Sequence, residues 1–294
     1  MEGATNQYSH AGMTKLFVYG TLLRGLSRAR MLRGSRFLGP ALLSGRLFDL
    51  GSYPGLLAGP GLVVGEIHLV DASTLRRLDR VEDFDARDPD GSLYRRETVS
   101  ARHFSGQGET VETYLYNREP DAGVLIPHGD YRRYLIERRP GAQPTVAYGS
   151  NLSLARIEAR IGPVGRRRPG RLEGFRLSLD KRAAIRRNVV ANIRYTGVDD
   201  CPGALHDLSL AQLQAMDRFE GTPNHYLRIV LPFRLNGRSG TRLAQTWIAH
   251  PDRVTAGLSV RAEYLHHLRS GYAQFGWSEA PITRALEVLQ QGNP

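Results

Sequence analysis

Glu82 and Glu220 each end a short helical pattern, Leu75-Arg76-Arg77-Leu78-Asp79-Arg80-Val81-Glu82 and Leu213-Gln214-Ala215-Met216-Asp217-Arg218-Phe219-Glu220. In both, two apolar residues and the acid stand at i, i+3 and i+7, which is one face of a helix. The apolar members of that face must point into a core, so the acid points inward with them. A carboxyl group on an apolar face loses hydration and its pKa rises. Such a group can take and return a proton near neutral pH. The competing reading is a buried salt bridge to one of the many arginines. Recurrence at one register in two copies favours the acid–base reading.

A second repeated motif supplies the complementary part. Leu16-Phe17-Val18-Tyr19-Gly20-Thr21-Leu22 returns as Thr145-Val146-Ala147-Tyr148-Gly149-Ser150-Asn151-Leu152. A strand that ends in glycine followed by Thr or Ser lets the backbone pass close to a ligand and aim N–H groups at it. Such a turn suits a carboxylate or a developing oxyanion. The step from Gly65 to Glu82 equals that from Gly203 to Glu220, with His68 and His206 in register, and Tyr131–Leu135 is echoed by Arg261–Leu265. The chain is therefore read as a tandem duplication, with domains at 14–142 and 143–294 joined through the Pro- and Gly-rich segment 138–144.

The elements that must position these residues follow one order in each half. Lys15–Tyr19 and Val63–Val70 read as strands, and Asp71 as the N-cap of the helix that carries Glu82. Glu97–Phe104 and Thr110–Tyr116 read as a hairpin, and Asp130–Arg138 as a helix. The second half gives a helix at Leu154–Ile161 capped by Ser153, then strands at Arg186–Tyr195 and Gly203–Leu208. Ser209 with Gln212 forms a capping box, and Gly221 caps the far end of that helix. Leu227–Leu235 and Thr241–Ile248 read as a hairpin, and Arg261–Phe275 as the final helix. Strands outnumber helices, so each half is expected to be an α+β domain built on a small, mainly antiparallel β-barrel with flanking helices.

Composition narrows the partners. A length of 294 residues suits two domains, each large enough to bury a core. The single cysteine, Cys201, excludes an intrachain disulfide and reads as a buried filler in a reducing compartment. Residues 1–13 are polar and read as a disordered extension or an upstream start, no run is apolar enough to span a membrane, and the cytoplasm is the expected location. The net charge of +11 comes almost wholly from arginine, Lys15 and Lys181 being the two lysines. The cluster Arg166-Arg167-Arg168-Pro169-Gly170-Arg171 lacks interleaved aromatics, so a solvated loop is expected there and no nucleic-acid partner. The charge suits an anionic small molecule. His266 and His267 read as surface residues, His68 and His206 as barrel histidines able to line a pocket. Tyr94 and Tyr226 are read equally as substrate ligands and as packing residues.

Tyr19-Gly20-Thr21-Leu22, Ser52-Tyr53-Pro54-Gly55-Leu56, Glu82, Tyr94 and Ile126-Pro127-His128-Gly129-Asp130-Tyr131 resemble the γ-glutamylamine cyclotransferase and AIG2-like branch of the γ-glutamylcyclotransferase superfamily. Tyr148-Gly149-Ser150-Asn151-Leu152, Phe219-Glu220-Gly221 and Tyr226 are similar to the γ-glutamylcyclotransferase branch proper. The resemblance implies that the glycine turns bind a γ-glutamyl group, with Tyr53, Tyr94 and Tyr226 beside it, and that Glu82 and Glu220 are general acid–bases. The implied reaction releases 5-oxoproline and a free amine and needs neither metal nor cofactor. A γ-glutamyl transfer or deprotection step, or a binding module for a γ-glutamyl metabolite, are the other readings. A monomer with its two domains packed together is expected. The second half lacks a match to Tyr53-Pro54, Asp83 stands where Gly221 does, and the segment from Glu82 to Tyr94 is the longer one.

Overall fold

The computed structural model describes residues 12–121, 123–184 and 187–291. In the first half these form β1 (Met13–Val18), β2 (Arg36–Asp49), β3 (Pro54–Asp71), α1 (Ala72–Val81), β4 (Tyr94–His103), β5 (Gly108–Tyr116), β6 (Val124–Leu125) and α2 (Tyr131–Glu137). The second half comprises β7 (Gln143–Ala147), α3 (Leu154–Ile161), β8 (Arg168–Arg182), β9 (Asn188–Leu208), α4 (Leu210–Glu220), β10 (Tyr226–Leu235), β11 (Arg242–Ala249), β12 (Ser259–Val260), α5 (Ala262–Gln274) and α6 (Ala280–Gln290).

Each half closes a barrel of five strands. The first runs β3-β1-β5-β4-β2 and closes through β2–β3; the second runs β9-β7-β11-β10-β8 and closes through β8–β9. Within each barrel one pairing is parallel, β1 with β5 and β7 with β11, and the others are antiparallel. The expected α+β class and mainly antiparallel barrels are therefore observed, twice over. His68 faces Leu16 and His206 faces Thr145 across the ladders, which keeps the sequence repeat in spatial register.

Several expectations need correction. β2 and β8 were not foreseen: glycine and proline interrupt the apolar pattern of the first and arginines that of the second. Arg168–Arg171, expected in a loop, lie in β8, where Arg168 pairs with Asp207 and Arg171 with Asp200. These ion pairs let a polar run serve as a strand. The two strands expected at 186–195 and 203–208 are one continuous β9, kept continuous because β8 pairs along it on both sides of a bulge at Thr196–Asp199. Residues 185 and 186 lie outside the described residues. Finally, α6 follows α5, so the helix at 262–274 is not the last. Of the polar segment 1–13, residues 1–11 lie outside the described residues, whereas Met13 opens β1.

Local signals explain the helices that hold the site. Asp71 accepts from the Thr74 N–H and caps α1, while Ser209 and Gln212 form both bonds of a capping box on α4. Ser153 occupies the N-cap position of α3 but makes no side-chain cap bond. Leu78 on α1 and Leu213 and Met216 on α4 are buried, which fixes the inward face of each helix at ~1.5–3 kcal/mol per side chain. The barrels touch through Phe37 and Tyr195, whose rings meet edge-on at 4.7 Å, and through the Val230 N–H, which donates to Asp130 Oδ2 at 2.9 Å. Leu42, Val64 and Phe104 of the first half join the core of the second.

Candidate active sites in the two barrels

In the first barrel β1 delivers Tyr19 and Gly20 to the mouth. The Tyr19 hydroxyl donates to the Tyr114 carbonyl at 2.6 Å, and the Gly20 carbonyl accepts from the Leu23 N–H at 3.0 Å, which tightens the turn. Gly20 lies outside the left-handed region; a methyl there would meet Pro54 Cγ at 2.7 Å. The glycine is required by the close approach of the Tyr53-Pro54 segment. Tyr94 donates to the Pro54 carbonyl at 2.8 Å, so the same proline is fixed from its other side. Tyr19, Gly20, Thr21, Leu22, Tyr53, Tyr94 and Glu82 all line one narrow cavity of about 30 Å³.

Glu82 follows the last turn of α1 and is half-buried. Asp79, one turn earlier, accepts from the Tyr114 hydroxyl at 2.8 Å and from Arg96 at 3.2 Å, which pins the end of the helix to the barrel. Burial pushes the Glu82 carboxyl up to about 7, with the positive charge of Arg28 pulling it down less strongly. The inward acid read from the helical spacing is thus present in this half, with raised proton affinity.

The second barrel repeats the frame. The Tyr148 hydroxyl donates to the Trp247 carbonyl at 2.6 Å, the Gly149 carbonyl accepts from the Leu152 N–H at 2.9 Å, and Tyr226 donates to the Ala191 carbonyl. Asp217 accepts from Trp247 Nε1 at 2.9 Å and from Arg228, in the places of Asp79 and its partners. Ser150 and Asn151 open a 3₁₀ turn, so their N–H groups have no partner within it. Tyr148, Gly149, Ser150, Asn151, Glu220 and Tyr226 line a cavity of about 410 Å³. Leu152 does not line it; its side chain is fully buried beneath Gly271 of α5 and anchors the turn from below.

Glu220 is where the halves part. Its Oε1 accepts from Arg160 Nη1 at 2.9 Å and from Asn151 Nδ2 at 3.0 Å, and Arg160 also donates to Asn151 Oδ1 at 2.8 Å. The salt-bridge alternative therefore holds for Glu220. Arg160 comes from α3, where the first half has only a short 3₁₀ turn, Ala29–Leu32, between Gly20 and β2. Sequence reasoning missed Arg160, Arg156 and Lys181, all of which line this cavity. Burial lowers the Lys181 ammonium to about 8, and its Nζ stands 3.4 Å from His225 Nδ1. Asp79 and Asp217, with Arg96 and Arg228, were also missed, although they recur at matching positions.

The Gamma-glutamyl cyclotransferase, AIG2-like family model matches residues 16–133 and again 146–266. The chain belongs to this family. A putative gamma-glutamylcyclotransferase of Vibrio cholerae is 37% identical over 118 residues, which is 40% of this chain and 93% of that protein. The gamma-L-glutamyl-butirosin B gamma-glutamyl cyclotransferase of Niallia circulans is 32% identical over 133 residues, covering 45% of this chain and 83% of its own length. These relatives have the size of one half. Among solved structures, YkqA from Bacillus subtilis superposes with a TM-score of 0.74 at 18% identity, covering 96% of this chain and 99% of its own. At that identity the likeness extends the fold, two barrels in one chain, and nothing further. Family membership brings a general cyclotransferase activity. Among the described residues no helix is long and apolar enough to cross a membrane.

Proposed function

We propose that this protein releases 5-oxoproline and a free amine from γ-glutamyl amines or amides, using Glu82 in unit 14–142 and Glu220 in unit 143–294. The observation that carries the reading is Glu82 itself, a half-buried carboxyl of raised proton affinity in one pocket with the Tyr19-Gly20-Thr21-Leu22 turn. In the reaction the substrate's α-amino nitrogen attacks its own γ-carbonyl carbon, closing a five-membered lactam. The carboxylate takes a proton from the α-ammonium and returns it to the departing nitrogen as the amide C–N bond breaks. Backbone N–H groups at Thr21 and Leu22, or Ser150 and Asn151, hold the γ-glutamyl head in the bent conformer and meet the oxyanion. Seating that head in the first barrel requires the lining of the cavity to open, because the space there admits only ~2 water molecules. Tyr19, Tyr94, Tyr148 and Tyr226 act through their backbone bonds, as struts of the pocket.

The first unit, with Tyr53-Pro54, takes the γ-glutamylamine type of substrate, and the second a different one. The Arg160–Glu220 pair favours one alternative for the second unit, a binding site with weak or no turnover. The test is mass spectrometry for 5-oxoproline over a panel of γ-glutamyl amines, γ-glutamyl amino acids and glutathione. Absence of the lactam with every member, while the intact peptides are bound, would replace catalysis by binding.

A further inference from the structure

The second cavity is far more positive than its ligand-free walls can balance. Among the described residues five permanent or near-permanent cations line it, Arg156, Arg160, Lys181, Arg218 and Arg261, against the single carboxylate of Glu220. Arg160 is consumed by Glu220 at 2.9 Å, and Arg261 has Glu263 at 3.6 Å. Among the described residues, Arg156, Lys181 and Arg218 have no carboxylate within ion-pair distance. Lys181 is 4% exposed, and a buried cation without a counter-ion is costly.

An independent feature points the same way. His206 is 1% exposed and lines the cavity, and neither of its ring nitrogens has a hydrogen-bond partner among the described residues. Its counterpart His68 lies 3.0 Å from Ser35 Oγ and 3.4 Å from Glu66 Oε2. At the register of Glu66 the second half has Ala204, so the acceptor is gone and the histidine is left facing space. A neutral imidazole offers one N–H donor there, a fit for an acceptor on a ligand.

We propose that the second cavity takes a γ-glutamyl amide whose departing portion carries two or more negative charges, as an acidic amino acid or a phosphorylated amine does. The γ-glutamyl part of this ligand rests on the cyclotransferase reading; the charge of the departing part does not. The head brings one carboxylate and one ammonium and is neutral overall. Arg156, Lys181 and Arg218 therefore remain for the rest of the ligand. A volume of about 410 Å³ suits a ligand of dipeptide size. The first pocket, with Arg28 beside Glu82, offers no comparable surplus.

The test uses the full chain carrying Glu82→Gln, so that the first pocket is silenced. Turnover of γ-glutamyl-glutamate, γ-glutamyl-glutamine and γ-glutamyl-O-phosphoserine is compared, the last distinguishing phosphate from carboxylate. The two departing groups with more than one negative charge should give kcat/KM at least ~10-fold above the glutamine peptide. Lys181→Met, and separately the exposed Arg218→Ala, should shrink that ratio by lowering kcat/KM of the multiply charged peptides more than that of the glutamine peptide. Equal values for glutamate and glutamine peptides, or a ratio untouched by both substitutions, overturn the proposal. Calorimetric affinities of the same peptides for the Glu82→Gln, Glu220→Gln double variant separate the two readings. Tighter binding of the multiply charged peptides with no 5-oxoproline from either single variant removes the cyclotransferase reading and keeps the ligand class. Equal affinities remove the ligand class, whatever the turnover.

Discussion

In the first barrel the carboxyl of Glu82 has no ion-pair partner among the described residues, and burial raises its pKa to about 7; in the second, Glu220 is clasped by Arg160 and Asn151. Strand order, turn and helix register are shared, so the barrel does not decide how the acid behaves. The decision lies in the segment after the glycine turn. In the first half that segment folds into a short 3₁₀ turn at Ala29–Leu32, with Arg28 ahead of it; in the second it becomes α3 and brings Arg156 and Arg160 over the pocket. The space beneath the turn differs for a second reason. Glu66 and Arg132, both fully buried, pair at 2.8 Å, and Glu66 accepts from the Arg24 N–H at 3.0 Å, which holds the first turn down. Burial alone would raise the Glu66 pKa, but Arg132, His68 and Arg24 hold it well below the usual carboxylate range. Their counterparts in the second half are Ala204 and Ala262, and that barrel has the large cavity.

The largest effect that could break this comparison is loss of the acids. Glu82→Gln and Glu220→Gln should each lower activity in their own half by ~10²–10⁴-fold, the loss at Glu82 being the greater. Production of 5-oxoproline by a folded double variant at the wild-type rate would end the assignment of both residues as proton carriers.

The pH dependence sharpens it further. The Glu82 base is available only when ionised, so kcat/KM of the first pocket, measured on Glu220→Gln, should rise ~10-fold per unit toward pH 7 and then level. A flat profile from pH 5 to 7 contradicts this. Stability moves the opposite way. The folded pKa, about 7, lies above the ordinary 4.5, so this group's stabilisation is complete below pH 4.5 and is lost as pH rises through 7. Glu82→Gln should therefore gain thermal stability over wild type at pH 8 but not at pH 4.5, in paired melts.

How much of this could be read beforehand depended on whether the signal was local. The turns, the inward helix faces, the Asp71 cap, the Ser209 capping box and both hairpins rest on neighbouring residues, and each is present. β2 and β8 escaped because bulges at Leu38, next to Gly39, and at Gly174, both glycines having positive φ, break the period of two. The site was legible where it repeats. Asp79 and Asp217 also repeat and were legible in principle, but an acid on a helix looks solvated until its strand partners are known. Arg156 and Arg160 stand at i and i+4, which shows a shared face and not what that face covers. Lys181, one of two lysines among arginines, had no local pattern at all.

A smaller difference is expected at the glycines of the turns. A methyl on Gly20 would meet the Pro54 ring at 2.7 Å, whereas one on Gly149 would meet Ala191 Cβ at 3.1 Å. Gly20→Ala should cost ~1–3 kcal/mol, as overpacking does, and Gly149→Ala less. Gly20→Ala should also lose activity through displacement of Tyr53-Pro54. Equal melting temperatures for the two variants would show that the proline contact is not what the glycine serves.

The smallest effect concerns the residue after each glutamate, which takes the same left-handed conformation in both copies. Asp83 adopts φ 50 and Gly221 φ 65. A side chain there is strained, and the Asp83 carboxylate makes no hydrogen bond among the described residues to offset it. Asp83→Gly relieves the strain but gives the unfolded chain more freedom. The net should be a gain of no more than ~1 kcal/mol, with Glu82 and its activity in place. Gly221→Ala should have the opposite sign, because its methyl would meet His225 Cδ2 at 2.9 Å besides taking on the strain. His225 touches Lys181, so this variant should disturb the second pocket as well. Denaturant melts of the two variants beside kinetics in each half read both signs. A destabilising Asp83→Gly, or a neutral Gly221→Ala, would mean that the two copies do not share one helix terminus.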